Sequence, residues 1–78
     1  MIVKVLGTGC TKCKTLEKRL FDLKAKYLLD IDIEKVSQIN DIMAYGVMMT
    51  PGLVMNENLI CVGKVPKEDE LLRWIREA

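Results

Sequence analysis

Histidine is absent from the 78 residues, and its absence excludes several kinds of active site. A cysteine protease with an imidazole base, a Ser/His/Asp hydrolase and a zinc site of mixed cysteine and histidine ligands all require that side chain. The three cysteines cannot supply the four thiolates of an all-cysteine zinc site within one chain. Redox exchange and soft-metal binding remain as chemistry for the sulfur atoms.

Long apolar runs and a charge of one sign are also missing. Residues 1–6 are too few for a signal peptide and lack the cleavage site that would follow one. No later run approaches the roughly 20 apolar residues that cross a bilayer. The 12 basic and 11 acidic side chains are mixed along the chain, so no basic face for nucleic acid is indicated. We therefore expect a cytoplasmic protein that binds neither membranes nor nucleic acid.

The size of the chain predicts a single domain, residues 1–78, acting as a monomer. Residues 2–6 form a nearly continuous apolar run, which favours a central strand buried on both faces. Residues 29–34 alternate apolar and acidic side chains, as expected for an edge strand. Between them, a helix beginning at Cys10 places five side chains on one buried stripe: Cys13, Leu16, Leu20, Leu23 and Tyr27.

The second half is predicted to contain a short helix, a hairpin and a final helix. Ser37 is the expected N-cap of the short helix, and Gly46 the residue that ends it. Residues 52–55 and 59–62 have the pattern of paired strands with a polar turn. The last helix is expected to start near Pro66. The predicted apolar faces of the two helices are Ile39, Ile42 and Met43, and Leu71, Trp74, Ile75 and Ala78.

The order is thus β-α-β-α-β-β-α, and residues 10–13 (Cys-Thr-Lys-Cys) lie where the first strand passes into the first helix. Unpaired backbone N–H groups and the helix dipole stabilise an anion there, and Lys12 adds positive charge, so Cys10 should ionise easily. Such surroundings commonly lower a cysteine pKa from about 8.5 toward or below about 7. A thiolate of this kind attacks disulfides at neutral pH.

Cys13 follows one helical turn later, so its sulfur can lie beside that of Cys10 on the more buried side. We expect Cys10 to attack a substrate disulfide and Cys13 to resolve the mixed disulfide. Two alternatives remain open: simple packing of both cysteines at a helix start, and a module or chaperone that binds copper or zinc through the pair. Cys61 is interpreted as a buried, inert core residue, and the five methionines as core or groove lining.

Together with residues 46–51, which lead into the hairpin, this motif resembles the thioredoxin and glutaredoxin superfamily. The length is most similar to the short glutaredoxin-like "redox-active disulfide" proteins, and the resemblance covers essentially the whole chain. It implies an α/β, thioredoxin-like fold with a four-stranded mixed sheet and helices on both faces.

The resemblance also implies roles for two residues before the hairpin. Pro51 is expected to be cis and to face the cysteine pair, and the backbone of Thr50 to pair with a substrate strand. Implied partners are disulfide-containing proteins and an electron donor similar to thioredoxin reductase, with no cofactor and no metal. The chain departs from thioredoxins at Gly9, where they carry tryptophan, and at residues 11–12, where they carry Gly-Pro. The redox potential therefore does not carry over.

Overall fold

The elements follow one another in the predicted order in the computed structural model, which describes residues 1–77. The strands are β1 (Ile2–Leu6), β2 (Asp32–Val36), β3 (Gly52–Met55) and β4 (Asn58–Val62). The helices are α1 (Thr11–Tyr27), α2 (Ile39–Ala44) and α3 (Glu68–Glu77). Across these 77 residues, no helix has the length and apolar character needed to span a membrane.

The four strands form a mixed sheet in the order β2-β1-β3-β4. β1 pairs with β2 in parallel, as a helical crossover requires, and with β3 in antiparallel fashion. β3 and β4 form the predicted hairpin. Its turn uses two left-handed residues, Asn56 (φ 50°) and Glu57 (φ 67°), the conformation that matches the twist of paired strands. The central position of β1 and the edge position of β2 are confirmed.

Helices cover both faces of the sheet, because side chains along each strand alternate between the faces. Leu6 and Val54 pack on one face with Ile42 of α2. The opposite face packs against α1 and α3 through the larger core, which comprises Val3, Val5, Leu16, Leu20, Leu23, Ile31, Leu53, Met55, Leu71 and Ile75. Leu6 also pairs with Gly52, so the loop after β1 and the loop before β3 leave the sheet side by side.

β2 begins three residues later than predicted and extends to Val36. The reason is its partner: β1 starts at Ile2, which pairs with Asp32, so earlier residues have no strand beside them. Leu28 ends α1 in a left-handed conformation (φ 52°), and the chain then leads back to the sheet. Ile31 is nevertheless 3% exposed, as the alternation of apolar and acidic residues over 29–34 predicted.

α2 differs from its prediction at its first turn. It begins after Gln38 rather than Ser37, and the Gln38 side chain makes no capping hydrogen bond. With only six residues, the helix turns one side chain, Ile42, into the core, and its other predicted apolar residues, Ile39 and Met43, are exposed. Gly46 follows the helix with φ 78°, in agreement with its predicted role.

Two further positions depart from the predicted helices. Tyr27 is exposed, and its ring lies 5.5 Å from the Arg76 guanidinium instead of in the core. α3 begins at Glu68, two residues after Pro66. The helix opens with the bond from the Leu71 N–H to the Lys67 carbonyl at 3.0 Å, and the Pro66 carbonyl accepts from Arg19 at 2.8 Å. Of the predicted apolar face of α3, Leu71 and Ile75 are buried, Trp74 is partly buried, and Ala78 lies outside the described residues.

Candidate active site

Cys10 and Cys13 form a disulfide at the amino end of α1. Their Cα atoms lie 5.1 Å apart, within the usual range for bonded cysteines. The loop from β1 to this helix includes Gly9, whose φ of 91° is a backbone conformation that glycine adopts without a steric penalty. The structure therefore brings together the two sulfur atoms that the sequence predicted as partners.

The Cys10 sulfur caps the amino end of α1. It accepts a hydrogen bond from the Cys13 backbone N–H at 3.3 Å, and the Cys10 backbone is extended. The first turn of the helix contains no acidic side chain. A helix start presents unpaired N–H groups and the positive end of the dipole, so this position favours a thiolate over a thiol in the reduced protein.

The two sulfurs differ in their access to solvent. The Cys13 side chain is packed against Gly7, and the residue is 4% exposed. Cys10 is partly exposed. A large substrate therefore reaches the Cys10 sulfur more easily than the Cys13 sulfur.

Thr50 lies next to Cys10, although it is 40 residues away along the chain. Thr50 Oγ1 is 3.8 Å from Cys10 Sγ, a contact missing from the prediction, which assigned a role only to the Thr50 backbone. The Thr50–Pro51 peptide bond is cis, and the carbonyl of the buried Pro51 accepts a hydrogen bond from Gly63 at 2.7 Å. Within residues 1–77, the Thr50 N–H and C=O form no hydrogen bond with another backbone group.

An apolar cleft of about 270 Å³ opens beside Thr50. Ile39, Met43 and Met48 contribute its most exposed side chains, at 62%, 61% and 93%. The sequence indicated core or groove lining for the methionines but did not locate a groove, because Ile39 and Met43 were expected to pack inside the fold. No charged side chain is among the residues that line the cleft: Thr8, Ile39, Ile42, Met43, Val47, Met48 and Thr50.

Lys12 and Cys61, the other two residues considered from sequence, lie outside this arrangement. Lys12 is exposed in the first turn of α1, and its ammonium forms no salt bridge within residues 1–77. Cys61 is partly exposed rather than buried as predicted, because β4 is the edge strand of the sheet. Burial of its thiol still raises the pKa of Cys61, and Glu70 raises it further, while Lys64 opposes the shift.

Known proteins resemble this chain along most of its length. A family model described as a thioredoxin domain matches residues 1–76. A protein named thioredoxin from Methanothermobacter thermautotrophicus is 30% identical over 71 residues, which cover 91% of this chain and 92% of that protein. A second one, from Methanocaldococcus jannaschii, is 28% identical over 71 residues, which cover 91% of this chain and 81% of that protein.

Solved structures share the fold. Thioredoxin-2, described as a component of the malaria parasite protein secretion machinery, matches 99% of this chain and 82% of its own with a TM-score of 0.72 at 18% identity. Mitochondrial thioredoxin 3 from Saccharomyces cerevisiae, in its oxidized form, matches 99% of this chain and 77% of its own with a TM-score of 0.67 at 20% identity. These structures confirm the predicted fold, and the family model and the first relative confirm the predicted superfamily.

The family in general exchanges disulfides with other proteins and receives electrons from a reductase. The disulfide at the start of α1, once reduced, provides the dithiol that this exchange requires. We conclude that this chain belongs to the thioredoxin family and is a thiol-disulfide oxidoreductase.

Proposed function

We propose that this protein reduces disulfides in other proteins, with Cys10 as the nucleophile and Cys13 as the resolving residue. The Cys10 thiolate attacks one sulfur of the substrate disulfide, and the other substrate sulfur leaves and takes up a proton. The Cys13 sulfur then attacks Cys10, and the bond between Cys10 and the substrate breaks. The substrate gains two electrons, and the protein is left with its own disulfide.

The observation that carries this assignment is the asymmetry of the pair. The Cys10 sulfur caps α1 and is partly exposed, whereas Cys13 is 4% exposed. An accessible sulfur at a helix start is suited to attack, and a buried sulfur beside it is suited to displace the product intramolecularly. The same asymmetry disfavours the opposite assignment, because a protein substrate would have to reach past Cys10.

We assign substrate binding to Thr50, Pro51 and the adjoining apolar cleft. The Thr50 N–H and C=O are available to pair with an extended substrate strand, a common mode of peptide recognition. The cleft starts at the same residue, so it is within reach of a side chain near the substrate cysteine. Its exposed methionines favour varied apolar side chains, because methionine adapts its shape to its partner.

The remaining roles concern charge, electron supply and location. We propose that the Lys12 ammonium stabilises the Cys10 thiolate at long range. An enzyme similar to thioredoxin reductase is the proposed electron donor. A monomer in the reducing cytoplasm fits both a dithiol that must be reduced in each cycle and an unpaired third cysteine, Cys61.

A soft-metal chaperone is the second function considered from the sequence. Its usual order of elements is β-α-β-β-α-β, with the cysteine pair at the start of the first helix. This chain instead has α2 between β2 and β3, and α3 follows the hairpin. The observed order therefore supports the redox assignment.

Single-cysteine variants test the proposed roles, with Cys61→Ser as a common background that removes the third thiol. Cys10→Ser should abolish reduction of a protein disulfide such as that of insulin. Cys13→Ser should retain the first attack and accumulate a mixed disulfide, detected by intact-protein mass spectrometry. Equal loss of activity in both variants, with no trapped adduct in either, would contradict the assignment.

A further inference from the structure

Gly7, at the end of β1, faces the Cys13 sulfur. A β-carbon at this position would overlap Cys13 Sγ and would lie 3.0 Å from Cys13 Cβ. Gly9 and Gly46 differ, because both have positive φ values and open space where a β-carbon would be. Gly7 lies outside the left-handed region, so its backbone would suit any residue. Glycine is therefore required here for space and not for conformation.

The backbones on both sides of this contact are tied in place. The Gly7 N–H donates to the Val36 carbonyl of β2 at 2.9 Å, which ties its backbone to the sheet. The Cys13 backbone is held by its N–H bond to Cys10 Sγ, and the residue is only 4% exposed. A methyl group on residue 7 would therefore rotate the Cys13 sulfur away or lift the first turn of α1 from the sheet.

We propose that Gly7 is a positioning residue for the second half of the reaction, because the space beside its α-carbon holds the Cys13 sulfur in line with Cys10. The inference rests on the proposed roles of the two cysteines. In this step, Cys13 loses its proton to solvent and its sulfur bonds to Cys10 Sγ. The bond between Cys10 and the substrate breaks, and the departing substrate sulfur takes up a proton.

The geometry makes this step more sensitive to Gly7 than the first one. Reacting atoms must be close and aligned, and a misplacement of about 1 Å can slow a reaction about 100-fold. The Gly7 contact determines where Cys13 lies, whereas Cys10 meets the substrate on its exposed side. Gly7→Ala should therefore slow resolution while leaving the first attack at the wild-type rate.

Dithiobis(nitrobenzoate) separates the two steps, because each releases one coloured thiolate. Reduced protein carrying Cys61→Ser is mixed with an equal, low micromolar concentration of this reagent and followed by stopped-flow absorbance. For Gly7→Ala we expect an unchanged first release and a second release slowed by about tenfold or more. Gly52→Ala is the matched control: its β-carbon would lie 3.3 Å from Leu6 and Val47 side-chain atoms and not against Cys13, so its second release should match the wild type.

A second release from Gly7→Ala as fast as that from the wild type would overturn the inference. Equal slowing of both releases would also overturn it, because it would show that Gly7 is important for the fold alone. A wild-type protein that releases only one thiolate would instead contradict the proposed cysteine roles, and the inference with them. If Gly7→Ala folds poorly, urea unfolding of the reduced proteins decides. The loss of unfolding free energy caused by Gly7→Ala should be smaller by at least about half in a Cys13→Ala background, where the overlapping sulfur is gone. An undiminished loss would overturn the inference.

Discussion

At the residue scale, the surroundings of each sulfur determine its reactivity. Cys10 lies at the start of a 17-residue helix, with a backbone N–H 3.3 Å away and the Thr50 hydroxyl 3.8 Å away. All three features favour a negative charge on the sulfur. Cys61, by contrast, has its pKa raised by burial. The reduced protein should therefore hold one easily ionised thiol and one that stays neutral to higher pH.

Lys12→Glu tests whether a nearby surface charge adds to this effect. The substitution should raise the pKa of Cys10, because it places a negative charge near a thiolate at the helix start. The pH dependence of iodoacetamide labelling of Cys10, in the reduced Cys61→Ser protein, measures the change. The shift should shrink at high salt, because exposed charges are screened.

Lys18→Glu is the matched control for charge. Lys18 is also exposed, on the same helix, about 9 Å further along its axis, and the change in net charge is the same. Its titration curve should match the wild type. Identical curves for the two variants would remove Lys12 from the site.

At the element scale, α2 contributes both to stability and to the proposed substrate-binding cleft, through side chains that differ in burial. A helix of six residues is not stable by itself in water. Its position therefore depends on Ile42, which packs with Leu6, Val47 and Val54 beneath the sheet. Ile39 and Met43 are exposed and line the cleft beside Thr50, to which Ile42 also contributes. Truncation of the buried Ile42 should affect folding, and truncation of an exposed side chain such as Ile39 should affect docking.

Two substitutions in α2 separate these roles. Ile42→Ala should lower the unfolding free energy by about 2–4 kcal/mol, because it leaves a cavity in the core. Ile39→Ala, at a residue 62% exposed, should cost less than about 0.5 kcal/mol. It should instead raise the KM for a peptide disulfide flanked by leucine, with little change in kcat. Urea unfolding and steady-state kinetics measure both effects, and similar losses of stability would contradict this division.

At the scale of the whole molecule, a polar cluster joins three separate segments on the α2 side of the sheet. The Lys4 ammonium of β1 donates to the Tyr45 hydroxyl at 2.9 Å and to Glu57 at 3.0 Å, and Tyr45 donates to Glu57 at 3.3 Å. The hydrogen bonds to Tyr45 and Glu57 raise the pKa of Lys4. The hydrogen bond from Lys4 and its charge lower the pKa of Glu57.

These shifts predict how the stability of the Glu57→Gln variant depends on pH. The pKa of Glu57 is lowered from 4.5, so its contribution is present above that pH and is lost as the pH falls through the folded-state value. The pKa of Lys4 is raised from 10.5, so its contribution is complete below that pH and is lost as the pH rises through the folded-state value. Glu57→Gln should thus be less stable than the wild type between these limits, and the difference should vanish in acid.

Urea unfolding at a series of pH values measures this difference. Asp22→Asn removes an exposed carboxylate of α1 that forms no salt bridge within residues 1–77, so it serves as the control and should follow the wild type. A deficit in Glu57→Gln that persists undiminished into strong acid would show that its charge is not the source.

Local patterns in the sequence were enough to predict β1, α1, the hairpin and the reactive pair. Each of these features is encoded within a few consecutive residues: an apolar run, a stripe of period 3.6, or two cysteines one helical turn apart. The bounds of β2 and the N-cap of α2 were wrong, and for β2 the structure gives the reason. Asp32 begins β2 because Ile2 begins β1, and a strand bound of that kind depends on a distant partner.

The tertiary structure alone decided what surrounds the reactive pair. Thr50 lies beside Cys10 from a distance of 40 residues, and the cleft combines the loop after β1 with α2. The overlap that requires glycine at position 7 is likewise a contact between a strand end and a helix. The sequence by itself determined which atoms react, because that chemistry is local. It did not determine how these atoms are positioned, because their surroundings form where separate elements pack together.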